Sequence, residues 1–218
     1  MSKLIVALDF DNKDAALQLI NQLNPLQCGL KIGSEMFTLF GPDFVRLLVD
    51  KKFNVLLDLK FYDIPQTVAK ACIAGAKLGV WMMTVHASGG VAMMTAAMNA
   101  LNTQSNSRPL LVAVTVLTSV ASVDVELAAQ VLCLAQQAQN AGVDGVVSSA
   151  LEVPMIKSAC GQQFLTVTPG IRLLSNDNDD QMRVVTPAQA IKAGSDYLVI
   201  GRPITQANNP SDIIRQLL

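Results

Sequence analysis

Three observations predict a (β/α)8 barrel. Eight short β-branched or apolar runs alternate with longer amphipathic stretches, the runs are almost unbroken in hydrophobicity, and glycines close several of the helical stretches. Strands buried on both faces lose the in–out alternation of a half-exposed sheet, so unbroken apolar runs separated by helices mean a covered parallel sheet. An open doubly wound sheet shares this alternation, but eight uninterrupted units favour closure into a ring. No stretch resembles an interdomain linker, and residues 1–218 are read as a single barrel domain.

The elements follow in order. Strand one is expected over Leu4–Leu8, with an amphipathic helix over Asp14–Leu23. Cys28–Ile32 and Asn54–Lys60 read as strands two and three, and Gln66–Leu78 as the helix behind the third, ended by Gly79. Trp81–His86 and Leu110–Thr115 follow, then the helical stretch Val123–Asn140, stopped near Gly142. Gly145–Ser148, Phe164–Thr168 and Tyr197–Ile200 complete the strands, with Pro187–Lys192 and Gly194 between the last two. Glycine after a helix is expected because it enters the left-handed region without a Cβ penalty.

Composition narrows the function. The chain is 51% hydrophobic and 15% charged with a formal net charge of −1, a well-buried globular protein without the basic footprint of a nucleic-acid binder. Cys28, Cys72, Cys133 and Cys160 are widely spaced, and His86 is the one histidine, so no zinc-ligand pattern exists and the thiols read as reduced and mostly structural. Early acidic residues, Asp9 and Asp11, spoil a secretory signal, and no apolar stretch approaches the ~18 residues of a membrane span. A soluble cytoplasmic protein is expected.

Charge then appears where the barrel pattern calls for apolar residues. Asp9 follows strand one, Lys31 lies in strand two, and Asp58 and Lys60 lie in strand three, near the strand ends where barrels of this type carry their active sites. In a regular strand Asp58 and Lys60, two apart, share one face, with Leu57 and Leu59 on the other. A structural Lys31–Asp58 ion pair is the plain alternative, and Asp63 in Asp-Ile-Pro-Gln resembles a helix N-cap with Pro65 in the first turn and Gln66 completing a capping box. Four alternating charges in one mouth exceed what structure alone requires.

A second cluster follows strands seven and eight. Thr168-Pro169-Gly170-Ile171-Arg172 and Gly201-Arg202-Pro203-Ile204 occupy the loops that recurrently bind phosphate in this architecture, where glycine admits oxygens to the backbone and arginine adds a charged fork. A turn with a solvated arginine is the plain alternative, and the placement after strands seven and eight favours phosphate. No GxGxxG or P-loop pattern is present, and no serine or cysteine has an evident base beside it, which leaves lysines and carboxylates to do the chemistry.

These segments together resemble the orotidine monophosphate decarboxylase family of the bacterial type. IVALDF, GLKIG, LDLKFYDIPQTV, TVHASGG, VTVLTS, TPGIR and LVIGRPIT run in the family's order from the first strand to the last. The resemblance implies loss of CO2 from C6 of orotidine 5′-monophosphate to give UMP, with no metal or organic cofactor. It implies that Lys60 protonates C6, that Asp58 faces the substrate carboxylate, and that Lys31 supports the network and a ribose hydroxyl. It further implies a homodimer in which Asp63, Ile64 and Thr67 complete the neighbouring subunit's site. Asp9 is implied for the ribose, Thr118 and Pro169 for the base, and Gln181, Gly201, Arg202 and nearby Arg172 for phosphate. The polar stretch Ser175–Arg183, read as a lid in preference to solvent-exposed decoration, carries Gln181, and Leu173 stands where members often have proline.

Two rivals are distinguishable. A magnesium-dependent sugar-phosphate lyase or decarboxylase needs further acidic ligands, which a lysine-centred DLKFYDIP does not suggest. A non-catalytic barrel that senses a phosphorylated metabolite would bind without turnover.

Overall fold

The computed structural model describes residues 3–104, 108–118, 125–172 and 185–217. Eight parallel strands close into a barrel in sequence order, with β1 hydrogen-bonded to β8. The strands are β1 (Leu4–Leu8), β2 (Gly29–Gly33), β3 (Val55–Phe61), β4 (Met82–His86), β5 (Leu110–Val114), β6 (Gly145–Val147), β7 (Leu165–Thr168) and β8 (Tyr197–Ile200). The helices are α1 (Lys13–Ile20), α2 (Ser34–Asp50), α3 (Pro65–Ala76), α4 (Gly90–Asn102), α5 (Val125–Asn140), α6 (Val153–Cys160), α7 (Pro187–Ala193), α8 (Arg202–Thr205) and α9 (Pro210–Leu217). No helix among the described residues is long and apolar enough to cross a membrane.

The expected (β/α)8 class is therefore observed, with β1 and β8 at the expected bounds. Helix α1 stops at Ile20, short of the expected Leu23, because Gln22 and Leu23 donate to Leu19 and Ile20 in tight i→i−3 turns. Asp63 is not a helix cap. The N-cap of α3 is Ile64, without a side-chain bond, and Asp63 Oδ1 instead accepts the Ile64 N–H at 2.6 Å. A reciprocal capping box lies instead at Thr186 and Gln189, ahead of α7.

Alternation along the strands divides the apolar interior into two cores. Ile5, Ala7, Leu56, Met82, Val112, Val167 and Val199 fill the ring itself. Their neighbours, among them Val6, Leu8, Leu57 and Met83, face outward and pack with helix residues such as Ala16 and Phe44. Burying each large side chain contributes about 1.5–3 kcal/mol, so the strands are clamped from both faces. Cys28 and Cys72 belong to the outer core, and burial pushes both thiols up to about 12, where they stay protonated and inert.

Candidate active site

The filled ring ends below the C-terminal mouth, where a cavity of about 300 Å³ opens. Lys31 of β2, Asp58 and Lys60 of β3 and Asp9 just after β1 supply its charged wall, and the segments after β7 and β8 supply the wall that faces β3. Asp9, Lys31, Asp58, Lys60, Thr118 and Pro169 line it, joined by Arg172, Gly201 and Arg202. Nine of the thirteen residues expected from sequence thus meet in one place.

The charged wall is a chain of ions. Lys31 Nζ lies 3.5 Å from Asp9 Oδ1 and 3.8 Å from Asp58 Oδ2, and Lys60 Nζ lies 2.8 Å from the same Asp58 oxygen. Signs alternate Asp9–Lys31–Asp58–Lys60, so each inner ion has neighbours of opposite charge, the condition under which charges tolerate burial. Two glycines pack against these ions, at distances where a Cβ would make ordinary contact. A Cβ on Gly33 would stand 3.4 Å from Lys31 Nζ, and one on Gly201 would stand 3.8 Å from Asp9 Oδ2.

The strand that carries Asp58 and Lys60 is not regular. β3 and β4 pair at Leu57↔Met83 and next at Phe61↔Val85, four steps along β3 against two along β4. A bulge absorbs the excess, and Lys60 within it takes the left-handed φ of 51°. The regular alternation expected for Asp58 and Lys60 is corrected accordingly: both line the cavity, but Lys60 is aimed there by a bulge rather than by the pleat alone. Its N–H donates to Thr84 Oγ1 at 2.9 Å, and the Thr84 hydroxyl donates to Asp58 Oδ1 at 2.9 Å. Thr84 was not expected in the site. Its only signal was a hydroxyl inside the apolar run MMTVH.

On the opposite wall Gly170 takes φ 76° and lines the cavity beside Pro169. Arg172 is buried, donates from Nη1 to the Ile171 carbonyl, and still reaches the cavity. Arg202 stands exposed at the rim, directly after Gly201. Apolar side chains fill the space between the walls, chiefly Val114, Val147, Val167 and Leu117. The cavity therefore carries alternating charges on one side, two arginines on the other, and apolar side chains between them. Among the described residues no three His, Cys, Asp or Glu side chains converge on one point.

Three expected residues lie elsewhere. Asp63, Ile64 and Thr67 are exposed and do not line their own chain's cavity. Next to them, Tyr62 is exposed and sits against His86, ring centroids 5.8 Å apart. Burial, and secondarily the Lys60 charge, hold His86 below its ordinary pKa of 6.5, against an opposite pull from Asp58. Gln181, Leu173 and the Ser175–Arg183 stretch lie outside the described residues.

Comparison with known proteins agrees with this geometry. The model of the Orotidine 5'-phosphate decarboxylase / HUMPS family matches residues 2–217. An orotidine 5'-phosphate decarboxylase of Legionella pneumophila is 60% identical over 99% of this chain and 97% of its own length. One from Tolumonas auensis is 56% identical, covering 99% of this chain and 96% of its own. Among solved structures, orotidine 5'-phosphate decarboxylase from Lactobacillus acidophilus superposes with a TM-score of 0.87 at 38% identity, covering 100% of this chain and 97% of that one. An uncharacterized conserved protein from Geobacillus kaustophilus gives 0.83 at 36% identity, over 98% of this chain and 97% of its own. With near-complete coverage, high identity and a mouth that gathers the expected charges, the chain belongs to the orotidine 5'-phosphate decarboxylase / HUMPS family.

Proposed function

We propose that the chain is a cytoplasmic, homodimeric orotidine 5′-monophosphate decarboxylase of pyrimidine biosynthesis that works without metal or organic cofactor. The carrying observation is the ion chain that ends in Lys60, set across an apolar cavity from Gly201 and Arg202. In the reaction the bond between C6 and its carboxylate breaks, CO2 leaves, and the electron pair stays at C6. Lys60 supplies a fixed ammonium where that charge develops and then gives C6 its proton, yielding UMP. Asp58 faces the departing carboxylate, and its bond to Lys60 keeps the ammonium aimed. Both acidic groups of the wall are engaged by ammonium groups, which favours lysine chemistry over metal binding.

In this reading Lys31 and Asp9 hold the ribose hydroxyls, Thr118 and Pro169 flank the base, and Gly201, Arg202, Arg172 and Gln181 take the phosphate. Phosphate contacts far from C6 contribute binding energy that holds the reacting end in place. Asp63, Ile64 and Thr67 act in the partner's site. Their exposure outside their own cavity, beside exposed Tyr62, supports that assignment.

The test is release of CO2 from orotidine monophosphate by the purified protein, with and without EDTA. Turnover unchanged by chelator is the expected result. Activity lost with EDTA and restored by Mg²⁺ overturns the cofactor-free mechanism, and nucleotide binding without turnover overturns the enzyme.

A further inference from the structure

We propose that Thr84 is a positioning residue for the reaction, holding both the backbone of Lys60 and the carboxylate of Asp58; this rests on the decarboxylase reading above. Thr84 is 1% exposed and lies in β4, directly across the β3 bulge. The bulge removes Lys60 from the regular β3–β4 ladder, so its N–H needs another acceptor, and the Thr84 hydroxyl is that acceptor. A buried amide left without a partner is costly, so the hydroxyl stabilises the left-handed turn at Lys60.

Satisfying that amide requires only a lone pair. The hydroxyl also directs its own proton to Asp58 Oδ1, and this second bond has a different consequence. The terminal torsion of an aspartate is broad, so without a bond to Oδ1 the carboxylate is free to swing about it. With Oδ1 held by Thr84, Oδ2 stays turned toward Lys60 Nζ at 2.8 Å and Lys31 Nζ at 3.8 Å. One hydroxyl thus couples the height of the Lys60 backbone to the direction in which its ammonium is pulled. A structural serine or threonine elsewhere in the barrel, such as Thr115 donating to the Val147 carbonyl, touches neither end of such a pair.

The experiment uses the full chain with Thr84→Val, which keeps the branched shape and deletes the hydroxyl, and Thr84→Ser, which keeps the hydroxyl. Steady-state kcat and KM for orotidine monophosphate are measured alongside UMP affinity and the folded fraction by circular dichroism. Misplacement of a reacting group by about 1 Å costs on the order of 100-fold, so the valine variant is expected to lose about 10- to 100-fold in kcat. KM and UMP affinity should stay within about threefold of wild type, because the phosphate-binding groups Gly201, Arg202 and Arg172 are untouched. Serine should restore most of kcat. If valine prevents folding, Thr84→Cys, which retains volume but weakens both bonds, must show the same kcat-only loss. A valine variant with kcat within about twofold of wild type per folded molecule overturns the proposal. So does a serine variant as impaired as valine, or a fall that follows the folded fraction alone. Wild-type protein that releases no CO2 instead removes the decarboxylase reading, a result distinct from wild-type turnover that Thr84→Val retains.

Discussion

The barrel buries charge at both ends, in opposite ways. At the N-terminal end Lys157 Nζ contacts Asp196 at 2.6 Å and also donates to the Gln162 and Phe164 carbonyls, while Asp196 accepts from the Thr166 backbone and hydroxyl. Asp144, one residue before β6, takes a two-pronged Arg108 and the Leu111 N–H. That pairing, chiefly through the hydrogen bond, raises the Arg108 pKa further. At the mouth the Lys31 contacts are longer, 3.5 and 3.8 Å, and lead only to other ions beside a cavity. Ions whose donors and acceptors are filled by backbone lock strands together. Ions bonded chiefly to one another keep capacity for a ligand.

Lys60→Ala tests that contrast most strongly. Losing both the electrostatic and proton-donor roles should lower turnover by at least about 10⁴-fold, with UMP binding and thermal unfolding close to wild type. Substantial residual turnover would put Lys60 with the structural ions. The mirror experiment is Lys157→Met. Removing one partner of a buried pair costs about 3–5 kcal/mol, so denaturant unfolding should shift strongly while kcat per folded molecule holds. A kcat loss in that variant would break the division between the two ends.

Asp63 sharpens the comparison, since it is charged yet belongs to neither set within its own chain. Mixing Lys60→Ala and Asp63→Ala proteins under subunit exchange should restore about a quarter of wild-type activity, because half the dimers are hybrids with one intact site of two. No recovery under proven exchange would exclude a shared site. The smallest effect concerns His86. Its folded-state pKa lies below 6.5, so the unfolded chain takes up the proton first. The stability it contributes is present above pH 6.5 and is lost as pH falls through its folded value. Thermal melts of His86→Gln should therefore lose less stability on acidification than wild type, and parallel losses would count against this linkage.

The sequence made some of this legible and concealed the rest for physical reasons. Runs such as LIVAL and YLVI show as strands because both faces are buried, and their bounds are those expected. Asp58 and Lys60 were visible because ions are rare at such positions. The bulge was not visible, since it depends on how β3 and β4 pair, which neither segment encodes alone. Thr84 was missed for the same cause: its partners lie 24 and 26 residues away. Lys157 and Asp196, 39 residues apart, look like ordinary surface charges until the barrel closes. Asp63 looked like a cap because local spacing fitted one, but the chain turns at Ile64.

The φ of 51° at Lys60 sets a preference that runs against the amine. A left-handed backbone costs a side-chain-bearing residue about 1–2 kcal/mol, and glycine escapes most of that. The fold by itself would be better served by glycine at this position. If Lys60 has the catalytic role proposed above, selection for turnover keeps a lysine there, and in a lineage released from that selection position 60 is among the first places where drift would gain stability while erasing the reaction.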